Sequence, residues 1–349
     1  MVYKGEKAIV KSSVHELDDK DRKLLYLLTK NARLQNKDLA QATGLSPDTV
    51  KYRIDKMTKN KVITGFTVVF NRHKIGYDAV DIYCSVQNLS DKLIMELMTN
   101  PDVYWLATAN GPFNLCLSTN AEGMEDIQKL IAYLRRTTKI YRMICLPLYY
   151  EHTTTHEYLM EGIVQRPVLR NFRANEVSFE KEFIERKHTS SNIRILSNVE
   201  RAVMDLLIRD CRTPLYDIAI KIHRSIETVK RIIAGLVRED IIIQFEPKIS
   251  TPLLGYYWGL IFVRLKDPAD RMDSPIVKYV KLQPYGHWFS YVIGDYDLIL
   301  SLHTKNKSEF EKIASDLKSR FINCVDHIEN ITLKQQFKHM NLFLRRKPI

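Results

Sequence analysis

Apolar positions along this chain change period in a regular way. From Asp18 to Lys30, Leu24, Leu25, Leu27 and Leu28 recur at helical spacing. Asn36–Thr43 predicts a second short helix with Leu39 and Ala40 inward. Gly44-Leu45-Ser46 reads as a turn, and Ser46 followed by Pro47 is a helix start. The third helix runs to about Asn60, with Val50, Ile54 and Met57 at i, i+4 and i+7. Ile63–Asn71 then turns β-branched and aromatic, which predicts a small strand pair. Three short helices and a ribbon form the winged helix-turn-helix pattern. Further on the period alternates. A strand (Ala79–Val86), a helix (Ser90–Thr99), two strands (Val103–Ala109 and Phe113–Ser118), a helix (Met124–Thr137) and a strand (Ile140–Leu148) give βαββαβ.

The whole pattern occurs twice. Leu17–Gln87 and Leu196–Lys266 align without a gap, with 17 identities in 71 positions. In the second copy the helices are predicted at Ile195–Arg209, Leu215–Ile222 and Ser225–Glu239, with strand character at Ile241–Ile249. Its βαββαβ half reads Trp258–Leu265, Ser274–Leu282, Gly286–Ile293, Asp297–His303, Lys307–Asn323 and Asp326–Gln335. The expected fold class is α+β: two winged helix-turn-helix domains, each followed by a ferredoxin-like βαββαβ domain. The expected boundaries are 1–76 for the leader and first winged helix, 77–150 for the first βαββαβ domain, and 151–195 for a charged linker with some helix. The second winged helix spans 196–254, and 255–349 holds the second βαββαβ domain and a basic tail.

Composition adds a partner class. The chain has 349 residues, 27% charged, with a net charge of +12. A balance this basic favours an anionic partner such as nucleic acid. Residues 1–76 hold 16 Lys or Arg and 8 Asp or Glu, a net of +8, whereas residues 196–254 hold 9 and 8, a net of +1. Phosphate neutralisation dominates non-specific duplex affinity, so the first module is expected to dominate binding. No apolar run approaches a membrane span, and the N-terminal stretch lacks the apolar core of a secretory signal. The five cysteines are widely spaced with no CxxC, which supports neither a zinc site nor a disulfide framework. A cytoplasmic, nucleoid-associated protein is expected.

At this level of detail the chain resembles the Lrp/AsnC (feast/famine) transcription regulators. The resemblance rests on Leu17-Asp18 with Asp21-Arg22 and Leu24-Leu25, on Ala32-Arg33 after the first helix, and on Leu39-Ala40 through Gly44-Leu45-Ser46 to Thr49-Val50 and Arg53-Ile54. Val62–Phe66 leading to Gly76 fits as well, as does Gly294-Asp295-Tyr296-Asp297, which is similar to the family's G-x-Y-D turn. It covers about 300 residues. A tandem pair on one chain departs from the usual single unit and suggests one chain imitating the family dimer. The second copy departs further: His223-Arg224-Ser225 replaces Gly-Leu-Ser, and Ile232 replaces Arg53. The resemblance implies a prokaryotic DNA-binding regulator with an ACT-like sensor domain. It further implies self-association through the sensor domains, within or between chains, and a small effector such as an amino acid near Gly294, Asp295, Tyr296 and Asp297.

Candidate DNA contacts follow from the third helix, whose N-terminal half normally meets base edges. Thr49, Tyr52 and Arg53 are base-reading candidates beside the cap Ser46; Lys51, Lys56 and Lys59 are phosphate candidates; Arg72 and Lys74 stand where a wing reaches the backbone. In the second copy the candidates are Arg224, Lys230 and Arg231. Against each stands the plainer alternative of a solvated basic face. His152 and His156 share a spacing compatible with metal binding, but three intervening threonines disfavour a helix, and a polar linker is the expectation. No phosphate loop, nucleophile elbow or catalytic dyad is evident, so no enzyme activity, cofactor or metal is expected. Two alternatives remain: an architectural DNA-binding protein without effector, and a tetrapyrrole enzyme, because siroheme decarboxylases resemble paired units of the same family.

Overall fold

The computed structural model describes residues 14–153, 156–160, 184–187, 193–267, 275–281 and 285–339. The N-terminal leader before residue 14, the tail after 339 and most of the expected linker lie outside the described residues. The first unit opens with α1 (Asp19–Lys30), α2 (Asn36–Thr43) and α3 (Pro47–Lys59). Asp18 and Ser46 cap α1 and α3, each accepting a backbone N–H from the first helical turn. Gly44 ends α2 in the left-handed region, at φ 67°, where a side chain is disfavoured. The strand β1 (Ile63–Phe70) follows, and then β2 (Asp78–Val86), α4 (Asp91–Thr99), β3 (Val103–Asn110), β4 (Leu115–Ala121), α5 (Met124–Thr137) and β5 (Ile140–Thr153). A short strand β6 (Ile184–Lys187) lies between the units.

The second unit repeats the order. Its elements are α6 (Asn198–Arg209), α7 (Leu215–Ile222), α8 (Ile226–Arg238), β7 (Ile242–Ile249), β8 (Tyr257–Leu265), α9 (Pro275–Lys281), β9 (Gly286–Val292), β10 (Leu298–Thr304), α10 (Lys307–Arg320) and β11 (Val325–His339). His223 takes the left-handed cap position that Gly44 holds in the first unit, at φ 54°.

The ribbon after each helix trio differs from expectation. Ile63–Asn71 does not fold back as a strand pair; β1 is one strand, and its partner is β7 of the other unit. The two run antiparallel with Thr67 opposite Glu246, which are equivalent positions of the repeat. The pairing is therefore an internal two-fold. Reciprocal bonds frame it: Asn71 N donates to Ile241 O and Ser250 N to Val62 O, both at 2.9 Å. An antiparallel edge needs a partner, and each ribbon strand supplies the other's.

The βαββαβ halves close on each other as well. Each forms a four-stranded sheet, β5-β2-β4-β3 and β11-β8-β10-β9, and the edges join through β3–β11 and β5–β9. Eight strands thus make a closed ring, with β6 added to β5. The two last strands achieve closure by being long. β5 pairs with β2 up to Leu148 and with β9 from there to Thr153; β11 pairs with β8 up to Thr332 and with β3 beyond it. These extensions explain why both strands outrun their expected ends at Leu148 and Gln335. Pairing with the other unit is invisible to local periodicity.

Alternation along each strand divides the burial. In β8, Ile261 and Val263 face the layer under α9 and α10, while Leu260 and Phe262 face the space between the sheets. That inner space is packed with aromatic rings. Phe262 lies 4.8 Å from Tyr83, 5.8 Å from Phe113 and 5.3 Å from Tyr296, ring centre to ring centre. Toward the first winged helix the filling becomes polar. His287 and His303 stack at 4.4 Å, with His156 5.0 Å from His287 and Tyr158 5.0 Å from His303. His156 is thus part of a buried cluster, contrary to the polar-linker expectation; the side chain of His152 lies outside the described residues.

Burial pushes the His287 imidazole down to about 4, and burial together with the neighbouring His287 and His156 holds His303 well below its ordinary value. Both rings are kept neutral in the fold but take a proton once unfolded near pH 6.5. Stability is therefore full above that value and falls as the pH drops, by about 1.4 kcal/mol per pH unit per histidine. Chemical unfolding between pH 6.5 and 5 should show this decline, and His303→Leu should flatten it. An unchanged slope in the variant would contradict the neutral buried cluster.

Candidate nucleic-acid interface

The face of α3 that looks away from the core is formed by Lys51, Tyr52, Asp55, Lys56 and Lys59, all exposed. The buried positions Val50, Ile54 and Met57 fix this orientation by occupying the inward stripe. Tyr52 is 65% exposed, a large apolar ring held in solvent. Lys51, Lys56 and Lys59 enter no ion pair among the described residues, so their charge is available to phosphate. Ser46 and Thr49 sit at the N-terminal tip. Ser46 Oγ accepts the Thr49 N–H at 3.1 Å and lies 2.8 Å from Thr49 Oγ1, so this pair builds the cap that aims the helix.

Three expected contacts are placed elsewhere. Arg53 projects back toward α1, where Nη1 lies 2.7 Å from both Asp18 Oδ2 and Asp21 Oδ1. These hydrogen bonds raise the guanidinium pKa above its ordinary value. Asp18 is held below the usual carboxylate range: desolvation, the largest single effect, opposes the shift, and the Arg53 bond and charge together with the backbone bonds from Asp21 and Lys20 outweigh it. In this structure Arg53 braces α1 against α3 and does not project from the exposed face of α3 where a base reader was expected. Arg72 is buried, with its guanidinium 4.3 Å from the Tyr104 ring centre. Lys74 donates to the Glu239 carbonyl at 2.8 Å and stands 3.6 Å from the Asp240 carboxylate of the second unit. Both were expected on a wing, but β1 is committed to β7 and the chain after it turns into the inter-unit seam.

Arg53→Ala leaves Asp21, whose side chain is 12% exposed, without this partner. A loss of about 1–3 kcal/mol is expected, with the selected DNA motif unchanged. Thermal melting and site selection on the variant check this. Unchanged melting with a shifted motif would return Arg53 to the base-reading role.

In the second unit, α8 presents Lys230 and Arg231 where α3 has Lys51 and Tyr52, but Gly235 where α3 has Lys56. Lys230 is 3.8 Å from Glu227, and Arg224 Nη1 donates to the His223 carbonyl at 2.9 Å. Ile232 stands where α3 has Arg53, and the acid that would face it, Glu200, is held by Arg194 at 2.6 Å. The Arg194 bond is the main cause of the fall in the Glu200 pKa to about 2.

Ala32-Arg33 and Cys211-Arg212, equivalent in the repeat, form a reciprocal lock beneath the helix trios. Arg33 Nη1 reaches the carbonyls of Cys211 and Thr213, the latter at 3.2 Å, and Arg212 Nη1 reaches Ala32 O at 2.9 Å. Arg33 covers the Phe245 ring and Arg212 the Phe66 ring, at 5.8 and 5.2 Å. The identity of Arg33 and Arg212 across the repeat was the available sequence signal, but nothing local tells a crossed contact from a surface one. The lock fixes the two helix trios relative to each other.

The turn Gly294–Asp297 is structural in large part. Asp297 Oδ2 accepts the Leu265 N–H at 2.8 Å, and the equivalent Asn114 bonds Val86 in the same way at 2.9 Å. A Cβ on Gly294, at φ 134°, would come within 3.1 Å of Leu146 Cδ2 on the facing sheet. Asp295 lies in the turn itself. Tyr296 is fully buried, and its hydroxyl donates to Glu329 and accepts from Arg142 Nη2 at 3.1 Å. Arg142 Nη1 completes the cluster at 2.9 Å from Glu329 Oε1. Burial and the neighbouring Glu329 push the Tyr296 phenol up to about 12.

Comparison with known proteins agrees with this architecture. A family profile described as winged helix-turn-helix DNA-binding matches residues 17–64. The HTH-type transcriptional regulator Rv2324 of Mycobacterium tuberculosis is 30% identical over 129 residues, covering 36% of this chain and 87% of its own. The regulatory protein AsnC of Haemophilus influenzae is 27% identical over 122 residues, 34% of this chain and 81% of its own. Among solved structures, the siroheme decarboxylase NirDL superposes with a TM-score of 0.59 at 13% identity, covering 93% of this chain and 94% of that one. That likeness concerns the fold of the whole two-unit chain.

Proposed function

Because the chain belongs to the Lrp/AsnC family of helix-turn-helix regulators, we propose that it is a sequence-specific double-stranded DNA-binding transcription regulator whose two units are a tandem duplication imitating a family dimer. The observation that carries the reading is the exposed Lys51–Tyr52–Lys56–Lys59 face of α3, free of internal ion pairs and set in the half of the chain that holds most of its excess charge. Lysines on such a face meet phosphates, and the first turns of the helix meet base edges. Ser46 and Thr49 act by orienting α3. Arg224, Lys230 and Arg231 of the second unit, in a module of net charge +1, contribute little to duplex binding. Residues 77–150 and 255–349 serve as the paired sensor half.

A small effector such as an amino acid acts at the partly exposed Arg142–Glu329 pair, where the charges of a zwitterion would replace the bonds that the pair makes to each other, whereas Asp297 is committed to backbone. An effector acts on DNA binding only if it binds two arrangements of the chain differently. Selection of duplexes from a random pool with the purified chain tests the main reading: a motif must emerge, Tyr52→Ala must change it, and Lys51→Ala/Lys56→Ala must weaken binding to all duplexes alike.

A second reading has one observation in its favour, the whole-chain fold shared with NirDL. A tetrapyrrole-handling protein of this architecture needs room for a large planar molecule. Between the two sheets here, Tyr83, Phe113, Phe262 and Tyr296 are fully buried and in ring contact. These residues do not fit such a guest at the centre. Titration with an iron tetrapyrrole tests it directly, since a bound complex gives a shifted Soret band.

A further inference from the structure

The second helix-turn-helix carries an apolar patch that the first lacks. Tyr216 and Ile220, one helical turn apart on α7, are 62% and 53% exposed, and Ile226 at the start of α8 is 40% exposed. Together with Ala219 and Arg224 they line one shallow concavity at the α7–α8 turn. The equivalent residues of the first unit are Lys37, Gln41 and Pro47. The patch is therefore a property of this unit and not of the helix-turn-helix shape. Solvent-facing apolar groups gathered at one concavity mark an interaction surface. A duplex backbone offers them nothing comparable, because phosphates and sugars cannot desolvate Tyr216 and Ile220 to advantage.

The rim selects the partner. Arg224 lines the concavity, and Lys221, Lys230 and Arg231 follow its apolar residues along α7 and α8, against Asp217 and Glu227, with Glu227 already within 3.8 Å of Lys230. The local balance is positive by two, four bases less two acids. A second copy of a chain with net charge +12 brings the same sign to the same place and is repelled. Apolar anchors at i and i+4 on α7, continued by Ile226, form a row that an amphipathic helix can cover with its own i, i+4 and i+7 side chains. We infer that the α7–α8 face of the second unit is a docking site for an acidic amphipathic helix of a protein partner. The inference does not rest on duplex binding by the first unit, so either can fail alone.

The test is fluorescence anisotropy of the full chain with a labelled peptide of glutamate and alanine carrying three leucines at i, i+4 and i+7. Saturable binding is expected, weakened about tenfold or more by Tyr216→Gln/Ile220→Gln. It should also weaken as salt rises from about 0.05 to about 0.3 M. A counterpart with lysine for glutamate should not bind. The double variant lies on the surface, and an unchanged melting curve confirms that it folds. Failure of the acidic peptide to bind at about 1 mM overturns the proposal. Equal binding of a serine-for-leucine peptide, or indifference to the double variant, does the same. Sedimentation velocity supplies a further arm: self-association abolished by the same variant means that a second copy is the occupant, and the proposal fails. Loss of duplex affinity in the variant means that the face reads DNA, and the proposal fails.

Discussion

Replacing Lys51, Tyr52 and Lys56 together with alanine is expected to weaken binding to the selected duplex by about 100-fold or more at moderate salt. On the proposed reading this removes two phosphate contacts and one base-edge contact, and a base contact alone is worth about 1–3 kcal/mol. The slope of log affinity against log salt should also fall by about two, one for each lysine. All three side chains are exposed, so the fold should be unaffected. The matched variant in the second unit, Lys230→Ala/Arg231→Ala, should cost much less, because that module carries a net charge of only +1. Gel-shift titrations at two salt concentrations measure both. Equal losses from the two units would contradict the dominance of the first.

The second large effect concerns the joint between the units. Phe262→Ala should lower stability by about 3–5 kcal/mol, the usual cost of deleting a fully buried phenyl ring. Phe262 is 0% exposed and touches Tyr83 and Phe113 of the first unit as well as Tyr296 of its own. The cavity therefore opens between the two sheets, where the closed ring of strands prevents collapse. Urea unfolding monitored by circular dichroism gives the value. A loss below about 1 kcal/mol would mean that the sheets are not held together by this ring cluster.

Much of the fold was legible because it is written in local periods. Val50, Ile54 and Met57 mark the inward stripe of α3, Ser46 and Pro47 mark its start, and Met124–Thr137 marks α5 to the residue. What local pattern could not reveal was pairing at long range. β1 looks like half of a hairpin, yet its partner stands about 180 residues away in β7. β5 and β11 run past their expected ends for the same reason. The site divides along the same line. The exposure of Lys51, Tyr52, Lys56 and Lys59 follows from helical spacing alone. Arg53 does not, because only the approach of α1 brings Asp18 and Asp21 to it. Arg72 and Lys74 lie in the seam between the units because the ribbon strand is taken by the other unit. His156, His287 and His303 come from three separate stretches, and no spacing in the chain announces their contact.

The central claim is that the chain reads a duplex sequence through the exposed face of α3. The most direct measurement is affinity for the site recovered from a random pool against a scrambled duplex of equal length, at about 0.05 and about 0.2 M salt. The account predicts a specificity ratio of about 1,000-fold or more that survives the higher salt, while scrambled binding collapses. Equal affinity for the two duplexes at both salts would contradict it.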